Sequence, residues 1–208
     1  GLSPQKCHNN YRALRTMLRK AVKWGYLARN PLESIDPPRV QRKEVQALSE
    51  QEVRTLIEAA GDTVIGRAIR VAVCTGMRRG ELLGLRWSDI DFEERTLHIQ
   101  QTVYRLPGRG FFFQPPKNDG SARQIFLPST AVRALVRQRA KQGEVKLALG
   151  ASYEDHDLVF AAPDGKPQDP SVFYRRMTRV AERAGVQHVR PHKLRHTCAS
   201  THLHAKTH

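Results

Sequence analysis

Apolar side chains recur at helical spacing along the first part of the chain. Between Ser3 and Tyr26 they return every three or four positions, as on one face of a helix. Ser3 and Pro4 suit the N-cap and first turn, and Asn30-Pro31 ends the pattern. The apolar positions are Tyr11, Leu14, Leu18, Ala21 and Val22. One amphipathic helix cannot enclose a core, so we expect the end of a small helical domain whose beginning is absent.

A second run of helical patterns begins after Leu48. Ser49 and Glu52 have the spacing of a capping box, and Gly61 suits the end of that helix. The next pattern is apolar on most faces, which is typical of a buried helix. The further helices are predicted at 65–74, 78–87, 129–149 and 170–184 and from Pro191 onwards.

The middle of the chain changes to a strand-like pattern. Residues 96–104 mix β-branched, aromatic and polar side chains, and turn signals separate them from 111–113 and 123–127. These segments predict a small three-stranded antiparallel sheet, and 158–160 predict one more short strand. The fold class is therefore α+β and mostly helical. We expect two domains, at 1–46 and 47–208.

Net charge is the strongest compositional feature of this sequence. The 208 residues include 35 Lys and Arg but only 20 Asp and Glu, which gives a formal net charge of +15. A chain this basic attracts polyanions, and nucleic acid is the expected partner. No apolar run is long enough to cross a membrane, and three cysteines make no disulfide framework. We therefore expect a protein of the reducing cytoplasm.

The basic residues are concentrated at the start of the chain. Residues 1–46 hold ten Lys and Arg against three acidic residues. Five of these cations fall between the apolar positions of the first predicted helix, where they can follow a phosphate backbone. These candidate DNA-binding residues are Arg12, Arg15, Arg19, Lys20 and Lys23.

The segment Thr75-Gly76-Met77-Arg78-Arg79-Gly80-Glu81-Leu82 carries a candidate catalytic pair. Gly76 ends one predicted helix, and Arg78 and Glu81 share a face of the next because they lie three residues apart. Glu81 can hold Arg78, or a second arginine, in a fixed orientation. An ordinary surface ion pair with no catalytic role remains open for the same spacing.

Two further motifs add candidate residues. Lys117 lies in a predicted turn between two strands, where it is either simply solvated or able to reach a substrate. In the last predicted helix, His192, Arg195 and His196 fall on one face, where histidine can transfer protons and arginine can grip a phosphate. Two alternatives stay open: packing histidines, or a metal bound by His192 and His196, although Lys193 stands where an H-E-x-x-H site has glutamate.

The ordered set T-G-M-R-R-G-E-L, hairpin lysine and H-K-L-R-H-T resembles the tyrosine site-specific recombinases of the phage integrase type. In that family, a helical core-binding domain and a mixed α/β catalytic domain form a clamp around DNA. The resemblance implies that 1–46 are the last part of a core-binding domain and 47–208 most of a catalytic domain. It also implies site-specific recombination or integration of a mobile element, through a 3′-phosphotyrosyl intermediate and with neither metal nor cofactor.

The resemblance also implies the roles of the matching residues. Arg78 and Arg195 correspond to the two catalytic arginines, His192 to the histidine of H-x-x-R, and Lys117 to the general acid for the leaving 5′ oxygen. Glu81 corresponds to the acidic residue that supports the arginines, and His196 is secondary. The family's nucleophilic tyrosine has no counterpart, because all five tyrosines precede His192: they are Tyr11, Tyr26, Tyr104, Tyr153 and Tyr174.

We therefore expect an internal fragment of an integrase that binds double-stranded DNA but cannot cleave it. Such a fragment is expected to be a monomer in solution, whereas the complete protein forms tetramers on DNA by resemblance. Two other classes remain open. One is a non-catalytic DNA-binding remnant of an integrase, and the other is a metal-dependent nuclease using His192 and His196.

Overall fold

The computed structural model describes residues 2–40, 47–115, 122–187, 189 and 193–198. The chain divides into two compact units, residues 1–44 and residues 45–208. Within the described ranges no helix is both long and apolar enough to span a membrane. The roles expected for the two units stay predictions at this point.

The described part of the first unit, residues 2–40, contains one long helix. Helix α1 (Pro4–Lys23) begins at the Ser3 N-cap, as predicted, with Pro4 in its first turn. None of its twenty residues, all of which the structure describes, is buried. The segment after α1 folds back onto this helix. The Tyr11 hydroxyl holds it there by donating to the carbonyls of Leu32 (3.2 Å) and Ile35 (2.7 Å).

Three helices open the described part of the second unit, and the third ends at residue 84, three residues before the predicted end. Ser49 and Glu52 form the predicted capping box, and Gly61 caps the other end of that helix. The second of the three helices has eight buried residues, as its apolar pattern predicts. The three helices are α2 (Glu50–Ala60), α3 (Val64–Thr75) and α4 (Arg79–Gly84).

Among the described residues, five short strands form two separate antiparallel sheets. The three-stranded sheet has the order β1-β2-β5, and β3 pairs with β4 in a hairpin inserted between β2 and β5. In the register of the first sheet, Leu97 faces Ile90 on one side and Ile125 on the other. The strands are β1 (Ile90–Asp91), β2 (Thr96–His98), β3 (Thr102–Leu106), β4 (Gly110–Gln114) and β5 (Gln124–Phe126).

The predicted strands differ from the observed ones in three respects. The segment 96–104 divides into β2 and β3, and β1 supplies the third strand of the larger sheet. The division arises because the chain turns to cross α4: Gln101 Nε2 donates to the Gly84 carbonyl (2.8 Å), and a Cβ on Gly84 would lie 3.1 Å from the Val103 nitrogen. The prediction of a strand at 158–160 is wrong. Leu158 forms an isolated β-bridge with Arg86, and the next two residues form a turn.

Two long helices complete the described part of the second unit. They are α5 (Ser129–Leu149) and α6 (Pro170–Arg183), and residues 193–198 are also helical. Asp169 caps α6 by accepting from the backbone nitrogens of Ser171 and Val172. A single core of apolar side chains joins these helices to α3 and the larger sheet. Its fully buried members include Leu56, Ile69, Leu83, Leu97, Leu135, Phe160 and Met177.

Candidate active site

The link between α3 and α4 places the first candidate arginine. Gly76 ends α3 in the left-handed conformation with φ of +61°, which a residue with a Cβ rarely adopts. Arg78 is extended and occupies the N-cap of α4. A Cβ on Gly76 would also lie 3.2 Å from Cys198 Sγ, so the glycine lets the helix of residues 193–198 approach this link.

Glu81 is the carboxylate around which the site is arranged. Its side chain is only 4% exposed, and it lies in the first turn of α4. One oxygen, Oε1, accepts from Arg78 Nη1 at 2.7 Å, and the other, Oε2, accepts from the Arg78 backbone nitrogen at 2.8 Å. Glu81 therefore fixes both the main chain and the side chain of Arg78, which is half exposed.

A second arginine that the sequence interpretation missed binds the same carboxylate. Arg123 Nη2 lies 2.9 Å from Glu81 Oε2, and Arg123 Nη1 lies 3.4 Å from Oε1. The sequence prediction allowed Glu81 a second arginine without identifying it. Forty-two residues separate Glu81 from Arg123, so no local spacing could have indicated the pair.

Arg195 reaches the same region by another contact. Its Nη1 donates to the Gly76 carbonyl at 2.7 Å, which attaches the last described helix to the α3–α4 link. Burial, together with the positive charges of Arg78 and Arg123, lowers the pKa of Arg195 from its ordinary value. The charges of Arg78, Arg123 and Glu81 thus all act on Arg195.

The ionisation of Glu81 reflects these neighbours. Burial by itself raises the pKa of Glu81, but hydrogen bonds from Arg123 and Arg78 outweigh burial, and the pKa lies below its ordinary value. Glu81 is therefore ionised at neutral pH. A cluster with three cations and one carboxylate keeps an excess of positive charge and can attract a phosphate.

Of the three remaining predicted site residues, the structure describes only His196. Lys117 and His192 lie outside the described residues, so the structure places neither of them. His196 is exposed on the last described helix. Its neighbour Thr197 is buried and accepts a hydrogen bond from the Leu48 backbone nitrogen at 2.9 Å. Across the part of the chain that is described, no three His, Cys, Asp or Glu side chains are grouped to hold a metal ion.

The candidate DNA-binding residues of α1 fall into two groups. Four of them have exposed side chains, whereas Arg15 is half-buried. The backbone carbonyl of Arg15 accepts from Asn30 Nδ2 at 3.1 Å, because this position faces the segment that folds back along the helix. The four exposed residues are Arg12, Arg19, Lys20 and Lys23.

Solved structures show the same fold. The Tn1549 transposon integrase in complex with a circular intermediate DNA superposes with a TM-score of 0.80 at 23% identity, over 99% of this chain and 68% of the other. A lambda integrase dimer bound to a COC′ core site superposes with a TM-score of 0.58 at 20% identity, over 91% of this chain and 63% of the other.

Curated sequences are also similar to this chain. A tyrosine recombinase XerC-like protein of Caldanaerobacter subterraneus subsp. tengcongensis is 32% identical over 94% of this chain and 54% of the relative. Tyrosine recombinase XerC of Xanthomonas campestris pv. campestris is 30% identical over 96% of this chain and 56% of the relative. The chain thus spans little more than half the length of these relatives. The phage integrase family model matches residues 46–207, and the chain belongs to the phage integrase family.

Proposed function

We propose that this chain forms part of a tyrosine recombinase that cuts and rejoins double-stranded DNA at specific sites. The observation that carries the proposal is the cluster of Arg78, Arg123 and Arg195 around Glu81. Strand cleavage places additional negative charge on a pentavalent phosphorus, and prepositioned guanidinium groups stabilise that charge. Relatives named as recombinases and integrases support the same activity.

In the proposed reaction, a tyrosine hydroxyl attacks a DNA phosphorus and the bond to the 5′ oxygen breaks. The products are a 3′-phosphotyrosyl bond and a free 5′ hydroxyl, which forms when the leaving 5′ oxygen takes up a proton. Attack by a 5′ hydroxyl reverses the step and rejoins a strand, so the energy of the phosphodiester is retained. We assign the non-bridging oxygens to Arg78 and Arg195, the leaving-group proton to Lys117 and the proton on the attacking oxygen to His192.

We propose that this chain binds DNA but does not cleave it. None of its five tyrosines follows His192, where the resemblance expects the nucleophile. A nicked duplex that traps covalent intermediates tests this part directly. We expect no protein–DNA adduct that survives denaturation, and such an adduct would show that a tyrosine of this chain attacks DNA. The chain is further proposed to be a monomer in the absence of DNA, which sedimentation checks.

DNA binding is proposed to involve the basic face of α1. Exposed cations that contact phosphates release counterions, so log K falls with log salt at about −0.9 per contact. Replacing the exposed Arg12, Arg19 and Lys20 with alanine should therefore weaken binding to every duplex sequence and flatten the salt slope. Fluorescence anisotropy with two unrelated duplexes at several salt concentrations measures both effects.

A matched variant separates this interface from the overall charge of the protein. Lys141, Lys146 and Lys166 each pair with an acidic side chain of the second unit. Replacing these three with alanine removes the same formal charge but should leave the salt slope nearly unchanged. Equal effects of the two triple variants would mean that net charge, and not α1, determines DNA binding.

A further inference from the structure

Arg123 contacts Glu81 in a way that complements the contact of Arg78. The two guanidinium groups share both carboxylate oxygens: the shortest Arg78 contact is to Oε1 (2.7 Å), and the shortest Arg123 contact is to Oε2 (2.9 Å). The Arg78 backbone nitrogen also binds Oε2. The position of the carboxylate is therefore set jointly by α4 and by the chain segment that leads into β5.

The main chain of Arg123 is itself held by the larger sheet. Its carbonyl accepts from the Ile99 backbone nitrogen at 2.9 Å, and the next residue, Gln124, pairs with His98. Arg123 is thus fixed at its backbone by the strand ladder and at its guanidinium by Glu81. Its side chain is 28% exposed, compared with 50% for Arg78, so Arg123 is the more enclosed of the two arginines.

We propose that Arg123 is a positioning residue of the recombination site, which holds the Glu81 carboxylate so that Glu81 aims Arg78 at the DNA phosphate. This inference rests on the proposed function and adds to it a residue from a different part of the fold. Arg123 also lies six positions after Lys117 in the sequence.

The role requires arginine at position 123. A planar guanidinium binds both oxygens of a carboxylate, whereas the single ammonium of lysine acts as a point charge. Without the guanidinium of Arg123, Glu81 keeps only its contacts to Arg78. The carboxylate then loses its restraint from the segment before β5, and Arg78 is aimed less precisely at a phosphate. The pKa of Glu81 should also rise, because hydrogen bonding from Arg123 is one of the main effects that lower it.

The test measures binding of inorganic phosphate by the chain, followed through the Arg78 Nε–H signal in ¹⁵N NMR. We expect R123A and R123K each to weaken phosphate binding about tenfold, the loss of roughly one charged hydrogen bond. In the same samples, the ¹³C signal of the Glu81 carboxyl should titrate at a higher pH in R123A. R123K keeps the charge and the aliphatic stem, so it serves as the test if R123A does not fold.

Arg86 supplies the matched control. It binds the buried Asp89 through Nε and Nη2, with side-chain exposures of 33% and 2% that resemble those of Arg123 and Glu81. R86A should leave both phosphate binding and the titration of Glu81 unchanged. Two results would overturn the role of Arg123 and leave the proposed function standing. One is an equal loss of phosphate binding in R86A, and the other is phosphate binding within twofold of wild type in both Arg123 variants. A wild-type chain that binds no phosphate would overturn the proposed site together with this inference.

Discussion

Arg78 and Arg86 occupy equivalent positions in two copies of one local motif, yet the structure uses them differently. Each precedes a short helical turn, and each is followed three residues later by a buried acid, Glu81 or Asp89. In both copies the acid accepts from the backbone nitrogen of the arginine, at 2.8 Å in the first and 3.1 Å in the second. The local chemistry of the two copies is therefore nearly the same.

The two copies differ in the ratio of cations to carboxylates. Arg86 directs Nε and Nη2 at Asp89, and this hydrogen bonding, aided by the charge of Asp157, raises the pKa of Arg86. Two carboxylates thus act on one guanidinium. In the first copy, Arg78, Arg123 and Arg195 act on the single carboxylate of Glu81.

This ratio determines what each copy can do. The Arg86 pair is compensated, so it has no excess charge for a ligand. The Glu81 cluster retains uncompensated positive charge on a half-exposed arginine. An arginine and an acid at i, i+3 are therefore insufficient to predict a site, because the distant charges that join them decide the outcome.

The largest expected difference concerns stability. Arg86→Ala leaves the buried Asp89 without its guanidinium, which should cost about 3 kcal/mol of unfolding free energy. Arg78→Ala leaves Glu81 paired with Arg123, so its cost should be only about 1 kcal/mol. Urea denaturation of the two variants measures both values. Equal losses would mean that Arg123 does not compensate Glu81.

Phosphate binding should show the opposite order. Arg78→Ala removes a proposed ligand of the phosphate and should weaken binding of inorganic phosphate at least about tenfold. Arg86→Ala should leave the affinity unchanged, even though it destabilises the fold more. Titration by NMR at constant ionic strength separates the two variants, and a parallel decrease would contradict the assignment of the site to Arg78.

The smallest expected effect is the pH dependence that Glu81 contributes. Its folded-state pKa lies below the ordinary value of 4.5, so its ionised form stabilises the fold above that pH. This stabilisation should be lost as the pH falls through the folded-state pKa. Wild type and Glu81→Gln should therefore differ most in unfolding free energy near neutral pH and converge in acid. A difference independent of pH would exclude ionised Glu81 as its source.

Several elements could be predicted from sequence because their determinants are local. The capping box of Ser49 and Glu52, the Gly76 helix end and the pair of Arg78 and Glu81 all depend on residues within a few positions of one another. The strands were predicted less well, since β2 pairs directly with β5 while the intervening hairpin forms its own sheet. Strand pairing depends on distant partners, which local alternation does not encode.

The sequence by itself determined most of the helices and the caps of the first ones. It also determined the basic character of α1 and the identity of Arg78, Glu81 and Arg195 as candidates. Only the tertiary structure decided that Arg123 shares Glu81, across 42 residues, and that Arg195 binds the Gly76 carbonyl, across 119. The physical reason is that hydrogen bonds and charge interactions depend on distance in space. Helical periodicity fixes that distance for neighbours in sequence, whereas packing of the core fixes it for residues on separate elements.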